Sequence, residues 1–397
     1  MAVDTGTHGH GEHDEHDGSG EGAARRGPGR RGVVAAAAGA AAAALGATGA
    51  GTAAADPRGR GWRGRPQRPD APVAPVGFVL SHEQFRTQDL VRWGRQAEEA
   101  GFGLLWTSDH IQPWQDNQQH SMHPWITQGL LSQATQRATF GTGVTCPTYR
   151  HHPSEVAQAF ASLGVLAPGR VFLGVGTGEA LNEQASTGQF GPYEERAARL
   201  VEAVQLIRQL WTGERTTFDG TYYQTVEFTL YDLPETPIPI HMAASGPRSA
   251  YNAGRYGDGW IGAAKDFSDP ALVAEFERGA RDAGKDPAAL PKFGELFVNV
   301  TEQDLEYAAS LWHFTVDPWD PSLLYESNPV EIQRKAEEMW PLEQVYAEWP
   351  KGGPENHVAA VQELLDAGVT PFIHSGQPDQ SAVIEFYGRY VLPNLRY

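Results

Sequence analysis

Residues 170–183, Arg170-Val171-Phe172-Leu173-Gly174-Val175-Gly176-Thr177-Gly178-Glu179-Ala180-Leu181-Asn182-Glu183, decide the fold. Val171 to Val175 is apolar without alternation, as expected of a strand buried on both faces in a parallel sheet. A glycine-rich turn follows at once. It departs from the dinucleotide fingerprint G-x-G-x-x-G at its last position, which is Glu179, so a Rossmann fold is a poor reading. Thr177, Asn182 and the backbone donors around Gly178 suit a phosphate or a polar ring instead. Glu179 is placed to exchange a proton inside a pocket.

The same strand-then-helix unit repeats on either side. Short apolar runs begin at Val76, Leu104, Phe140, Ile238, Trp260, Leu296 and Pro371, which with Val171 makes eight strand starts. Helices are predicted over 87–100, 154–166, 194–210, 248–256 and 380–395, the first stopped by Gly101. Eight alternating units predict an α/β fold, a closed (β/α)8 TIM barrel. In that architecture chemistry gathers at the C-terminal ends of the strands. Two segments exceed an ordinary loop: 212–237, read as a hairpin around Phe218 to Phe228, and 315–350, rich in Trp and Pro. Insertions of that length often cover an active site.

The strand ends carry the chemistry-bearing residues. After the second strand comes Thr107-Ser108-Asp109-His110. Oxidising an alcohol needs a base at the hydroxyl while hydride leaves the carbon, and histidine suits that work near neutral pH. Asp109 is read as a residue that orients or stabilises the imidazole. A hydrogen-bonded structural histidine fits the same pattern. Trp114 offers a flat wall to a ring system, or is simply core. After the third strand, Gly143-Val144-Thr145-Cys146-Pro147 has small residues where backbone can approach a ligand. After the fifth, Ser245-Gly246-Pro247 opens a helix, a ready place for a phosphate. Zinc-ligand spacing, a P-loop and a G-x-S-x-G elbow are missing, and no metal is expected.

The first 55 residues differ from the rest in composition. Arg30-Arg31 followed by an Ala/Gly run to Ala53-Ala54-Ala55 reads as a twin-arginine (Tat) signal peptide released before Asp56; a low-complexity tail is the other reading. His8, His10, His13 and His16 precede the cut. Residues 56–75, rich in Arg, Pro and Gly, read as a flexible linker, and 76–397 as the barrel domain. The lone Cys146 rules out a disulfide framework. A formal net charge of −18 argues against nucleic acid and anionic membrane surfaces as partners. The expected location is therefore outside the cytoplasm, in the cell envelope or beyond, with the Tat translocase as a transient partner.

Taken in order, the motifs resemble one family. SHEQF at 81–85, SDHIQPW at 108–114, PTYRHHP at 147–153, AQAFASLG at 157–164, RVFLGVGTGEALNE at 170–183, RQLWTGER at 208–215, FDGTYY at 218–223, AASGP at 243–247 and GRYGDGW at 254–260 are similar to the deazaflavin (coenzyme F420)-dependent dehydrogenases of the bacterial luciferase-like superfamily. A weaker PLEQV at 341–345 continues the series. The resemblance implies the luciferase-like barrel with coenzyme F420 as cofactor. It implies His110 as catalytic base, Glu179 as proton donor to the coenzyme and Trp114 along the hydride path, with Glu83 near the substrate. Asp109, Thr177, Gly178, Asn182, Ser245 and Gly246 would contact the coenzyme, with Cys146 beside them. The family's non-proline cis peptide would fall at Gly143-Val144. Members are often homodimers.

The substrate is where the chain departs. Glucose-6-phosphate enzymes of this family share a pocket of two lysines and an arginine, and the aligned places here read Ala264-Lys265-Asp266, Leu323 and Glu348. One cation, Lys265, grips a dianion poorly, so glucose 6-phosphate is not expected to be the substrate. The signal peptide and the missing basic pocket together resemble the exported branch of hydroxymycolic acid dehydrogenases, which oxidise a lipid alcohol. Trp312, Phe314, Trp319, Tyr325, Trp340 and Trp349 would then line an apolar groove, or be ordinary core. The alternatives are an F420-dependent sugar or sugar-phosphate dehydrogenase, a flavin mononucleotide monooxygenase on the same barrel, and a binder of coenzyme or lipid without activity.

Overall fold

The computed structural model describes residues 73–316 and 319–397. The signal-peptide reading and almost all of the linker fall outside them. Eight parallel strands close into a barrel: β1 (Ala74–Leu80), β2 (Phe102–Thr107), β3 (Thr139–Thr142), β4 (Val171–Val175), then β7 (Ile240–Ala243), β8 (Gly259–Ala263), β9 (Lys292–Phe297) and β10 (Thr370–His374). The hairpin β5 (Thr216–Asp219) and β6 (Gln224–Phe228) stands apart as a two-stranded antiparallel sheet. β1 closes the ring by pairing with both β2 and β10. This is the (β/α)8 barrel expected from the sequence, and the hairpin lies where the long loop predicted it.

Alternation along each strand sorts side chains into two cores. Val79, Trp106, Phe172, Ile261, Phe293 and Phe372 meet inside the barrel, with Trp106 stacked on Phe372 at 4.1 Å between ring centroids. Gly77 makes room for this layer: a Cβ there would lie 2.3 Å from the Phe372 ring. The opposite faces pack on the surrounding helices, which include 87–100, 153–166, 193–210 and 247–256.

Four helices, three around the barrel and one in the insertion between β9 and β10, start where none was expected: Pro124–Ala134, Pro270–Asp282, Pro354–Asp366 and, in the insertion, Pro329–Met339. Each has proline in its first turn, where the missing N–H costs nothing. β9 begins at Lys292 rather than Leu296: Lys292 and Phe293 pair with Trp260 and Ile261 of β8, and Glu295, which interrupts the apolar run, turns toward His374 at 2.8 Å. The last helix stops at Phe386 and widens into a π turn over Tyr387–Val391. Among the described residues no helix is long and apolar enough to cross a membrane.

The insertion between β9 and β10 builds a small core of its own on residues from the catalytic end. Leu181 and Trp114 pack with Leu311, Trp312, Phe314, Leu323, Ile332 and Ala336. Gln112 ties the arrangement together, its amide donating to Leu181 O at 2.6 Å and Ser327 O at 2.7 Å. The insertion thus clamps the loops after β2 and β4, and a change in it acts on the site through those loops.

Candidate active site

A chain of polar side chains crosses the C-terminal mouth of the barrel. Glu83 follows β1, His110 follows β2, and Glu179 and Asn182 follow β4. Glu83 Oε1 lies 3.6 Å from His110 Nε2, and Asn182 Nδ2 sits 3.1 Å from His110 Nδ1 and 3.2 Å from Glu179 Oε2. Ser81 and Ser108 donate to Glu83 Oε2 at 2.8 and 2.6 Å. Burial alone would push the Glu83 carboxyl up, but His110 and the two serine hydroxyls outweigh it and hold it below the usual carboxylate range. Glu83 is therefore a buried carboxylate with one oxygen turned toward the histidine.

Asp109 departs from the expectation drawn from its place beside His110. It does not orient His110: its carboxylate accepts from Arg150 Nη2 at 2.9 Å and from Thr145 Oγ1 at 2.6 Å. Burial raises its pKa, yet His151, Arg150 and Thr145 pull it well below the usual range. Arg150 also faces Glu183 Oε1 at 3.8 Å, and Glu183 Oε2 accepts from the Arg150 backbone N–H at 2.7 Å. This buried network fixes the loop after β3 to the loops after β2 and β4. Asn182 and Glu83 hold the positions around the imidazole that were expected of Asp109.

Among the residues expected to meet a coenzyme, Gly143, Val144 and Gly176 form a small-residue wall. The Gly143–Val144 peptide is cis. A Cβ on Gly143 would lie 2.7 Å from the Trp106 ring, and one on Gly176 would lie 2.7 Å from Val144 Cγ2. Neither position accepts a side chain, because the space beside each is already filled by the protein's own side chains. Cys146 is buried beneath this wall, and burial, with Glu179 and Glu183 adding to it, pushes its thiol far up, so it is not a nucleophile. Thr177 and Gly178 are held from below by Arg196, which donates to Thr177 Oγ1 at 3.3 Å and Gly178 O at 3.1 Å. Ser245 and Gly246 lead into the helix Pro247–Tyr256, whose N-terminal amides offer a place for phosphate. Lys265 lies exposed on the short turn after β8.

Trp114 stands beside His110, ring centroids 5.6 Å apart, and stacks on Phe314 at 4.6 Å. Of the aromatics proposed for a groove, Trp312, Phe314 and Trp349 are buried core of the insertion, while Trp319 and Trp340 pack against it. Tyr325 is exposed and reaches Arg196 with its hydroxyl. Trp114 is thus the aromatic face presented beside the histidine. Arg150, Arg196 and Gln112 organise the site without having been read from the sequence. Among the described residues no group of three or more His, Cys, Asp or Glu side chains is arranged to hold a metal ion.

Comparison with known proteins agrees with this geometry. The family model described as luciferase-like monooxygenase matches residues 68–383. The chain is 56% identical over 323 residues to an F420-dependent hydroxymycolic acid dehydrogenase of Mycobacterium tuberculosis, covering 81% of this chain and 88% of that protein. It is 40% identical over 336 residues to an F420-dependent glucose-6-phosphate dehydrogenase of Rhodococcus jostii, covering 81% and 97%. A solved F420-dependent secondary alcohol dehydrogenase, in complex with an F420-acetone adduct, superposes with a TM-score of 0.76 at 30% identity, covering 81% of this chain and 99% of that one. The chain belongs to the luciferase-like monooxygenase family and, within it, to the coenzyme F420-dependent dehydrogenases.

Proposed function

We propose that this protein is an exported dehydrogenase that moves hydride from a secondary alcohol to coenzyme F420, the alcohol being carried on an uncharged cell-envelope lipid of the hydroxymycolic acid kind. The observation that carries the reading is the chain Glu83–His110–Asn182–Glu179 beside the Trp114 ring. It places groups able to handle a hydroxyl proton at one end and a carboxylate at the other.

The deazaflavin, when bound, supplies the carbon that accepts hydride. Gly143, Val144 and Gly176 would lie against its ring, and Ser245 and Gly246 would hold its phosphate at the helix N-terminus. Glu83 and His110 would meet the alcohol. Glu179 would face the coenzyme and pass it a proton. This F420 reading takes the place of the flavin mononucleotide alternative.

Charge supports an uncharged substrate. Glu83, Glu179 and Glu295 belong to the mouth, and Arg150 is committed to Asp109 and Glu183. Arg196 is buried with its guanidinium on carbonyls and hydroxyls. Leu323, at an aligned phosphate-binding place, is fully buried in the insertion core. A phosphate dianion would meet carboxylates with little to neutralise it. Export rests on the twin arginine and the Ala53-Ala54-Ala55 site.

The test is titration of the purified apoprotein with oxidised F420. A panel of secondary alcohols, hydroxylated lipids and glucose 6-phosphate is then screened for loss of oxidised-deazaflavin absorbance. Micromolar coenzyme binding with turnover of the lipid alcohols is expected. Absence of binding, or rapid turnover of glucose 6-phosphate, would overturn the proposal.

A further inference from the structure

A neutral imidazole has one N–H and one lone pair, and the partner of one nitrogen decides where the proton sits. The partner of His110 Nδ1 is Asn182, whose own orientation is unambiguous. The Ile111 backbone N–H, which is only a donor, points at Asn182 Oδ1 from 2.9 Å. The other end of that amide is therefore the NH2 group. It donates to His110 Nδ1 at 3.1 Å and to the Glu179 carboxylate at 3.2 Å. Asn182 is 1% exposed, so solvent does not offer it a second arrangement. His110 Nδ1 is an acceptor, and the ring proton lies on Nε2, facing Glu83 Oε1 at 3.6 Å.

This arrangement divides the work between two residues, and the inference rests on the alcohol-oxidation reading above. We propose that Asn182 locks His110 in its Nε2–H form, so that Glu83, and not His110, takes the hydroxyl proton of the substrate. The hydroxyl O–H bond breaks and its proton passes to Glu83 Oε1. The carbinol C–H bond leaves with its electron pair as hydride to the oxidised F420. A C=O bond forms, and His110 keeps its own proton, donating from Nε2 to the oxygen throughout. Glu83 Oε2 is already engaged by Ser81 and Ser108, which leaves Oε1 for the substrate. Asn182 acts through His110 and is a positioning residue.

The experiment reads the ring directly. Protein labelled with 15N-histidine, with His110→Gln used to assign the signals, gives the protonation of each ring nitrogen by NMR. An unprotonated Nδ1 and protonated Nε2 are expected in the wild-type protein; a protonated Nδ1 would overturn the proposal. Asn182→Asp supplies a second, opposite-signed test. A carboxylate facing Nδ1 accepts instead of donating, so the proton should move to Nδ1 and turnover should fall by about 100-fold, the usual scale for a misplaced proton-transfer group. If His110 itself were the base, that variant would free its Nε2 lone pair, and turnover held or raised would refute the assignment to Glu83. A protein that oxidises no alcohol refutes the function, while the ring spectrum, which needs no turnover, still decides the lock.

Discussion

Acid should destabilise this protein well above the pH at which its carboxylates titrate, because three buried histidines are held neutral. Burial lowers the pKa of His82, His241 and His357 from 6.5 to about 4 in each case; at His82 the charges of Glu83 and Asp109 oppose the effect without cancelling it. The unfolded chain takes up a proton at each ring below pH 6.5, whereas the folded one does so only near pH 4. Stability is therefore fully present above pH 6.5 and is lost as pH falls toward 4. Moving from pH 7 to 5.5 costs about 1.2 kcal/mol per ring, or about 4 kcal/mol for the three, from the proton-linkage relation. Against a total stability of roughly 5–15 kcal/mol this is a large share. Glu183, raised chiefly by burial, works in the opposite direction but is a single group. Urea unfolding at pH 7.0, 6.0 and 5.5 measures the slope. His241→Leu should remove about a third of the pH dependence, since His241 Nδ1 is buried without a hydrogen-bond partner. Unfolding free energies that stay level over this range would show that these rings are not held neutral in the folded protein.

Other perturbations separate the parts of the site. Arg150→Met leaves Asp109 and Glu183 buried without their cation and should cost about 3–5 kcal/mol in urea unfolding; a loss below 1 kcal/mol would show that the network is not paired as described. Gly176→Ala puts a Cβ 2.7 Å from Val144 Cγ2, on the wall assigned to the deazaflavin, and F420 should bind at least about tenfold more weakly while unfolding changes less. His110→Ala removes the donor that holds the reacting oxygen and should lower kcat by about 100-fold while F420 is still retained in a fluorescence titration. Lysines in place of Arg30 and Arg31 should keep the protein in the cytoplasm in a cell-fractionation assay.

The barrel was legible because strands buried on both faces are unbroken apolar runs, and Val171 to Val175 is the clearest of them. Helices that begin at Pro124, Pro270, Pro329 and Pro354 were hidden because proline reads as a breaker until its place in the first turn is considered. Glu295 obscured the start of β9, since a carboxylate inside a barrel is legible only once its partner His374 is known. In the site, Ser108-Asp109-His110 suggested a carboxylate beside its histidine. The true partner of Asp109 is Arg150, 41 residues away, and adjacency along a strand end sends neighbouring side chains in opposite directions. Arg196 lies in the helix predicted over 194–210, and nothing in that stretch marks it as buried. Its burial under Phe190, with the guanidinium 4.1 Å from that ring, follows from packing that no local pattern encodes.

Hydride transfer from a carbinol carbon to F420 can be followed with deuterium. The protein is mixed with oxidised F420 and a secondary lipid alcohol deuterated at the carbinol position, and the reduced coenzyme is weighed by mass spectrometry. Deuterium in the reduced coenzyme, with turnover slower than for the protiated alcohol, is the predicted result. Reduced coenzyme carrying no deuterium, or no reduction with any alcohol while F420 is bound, would exclude hydride transfer from the carbinol carbon.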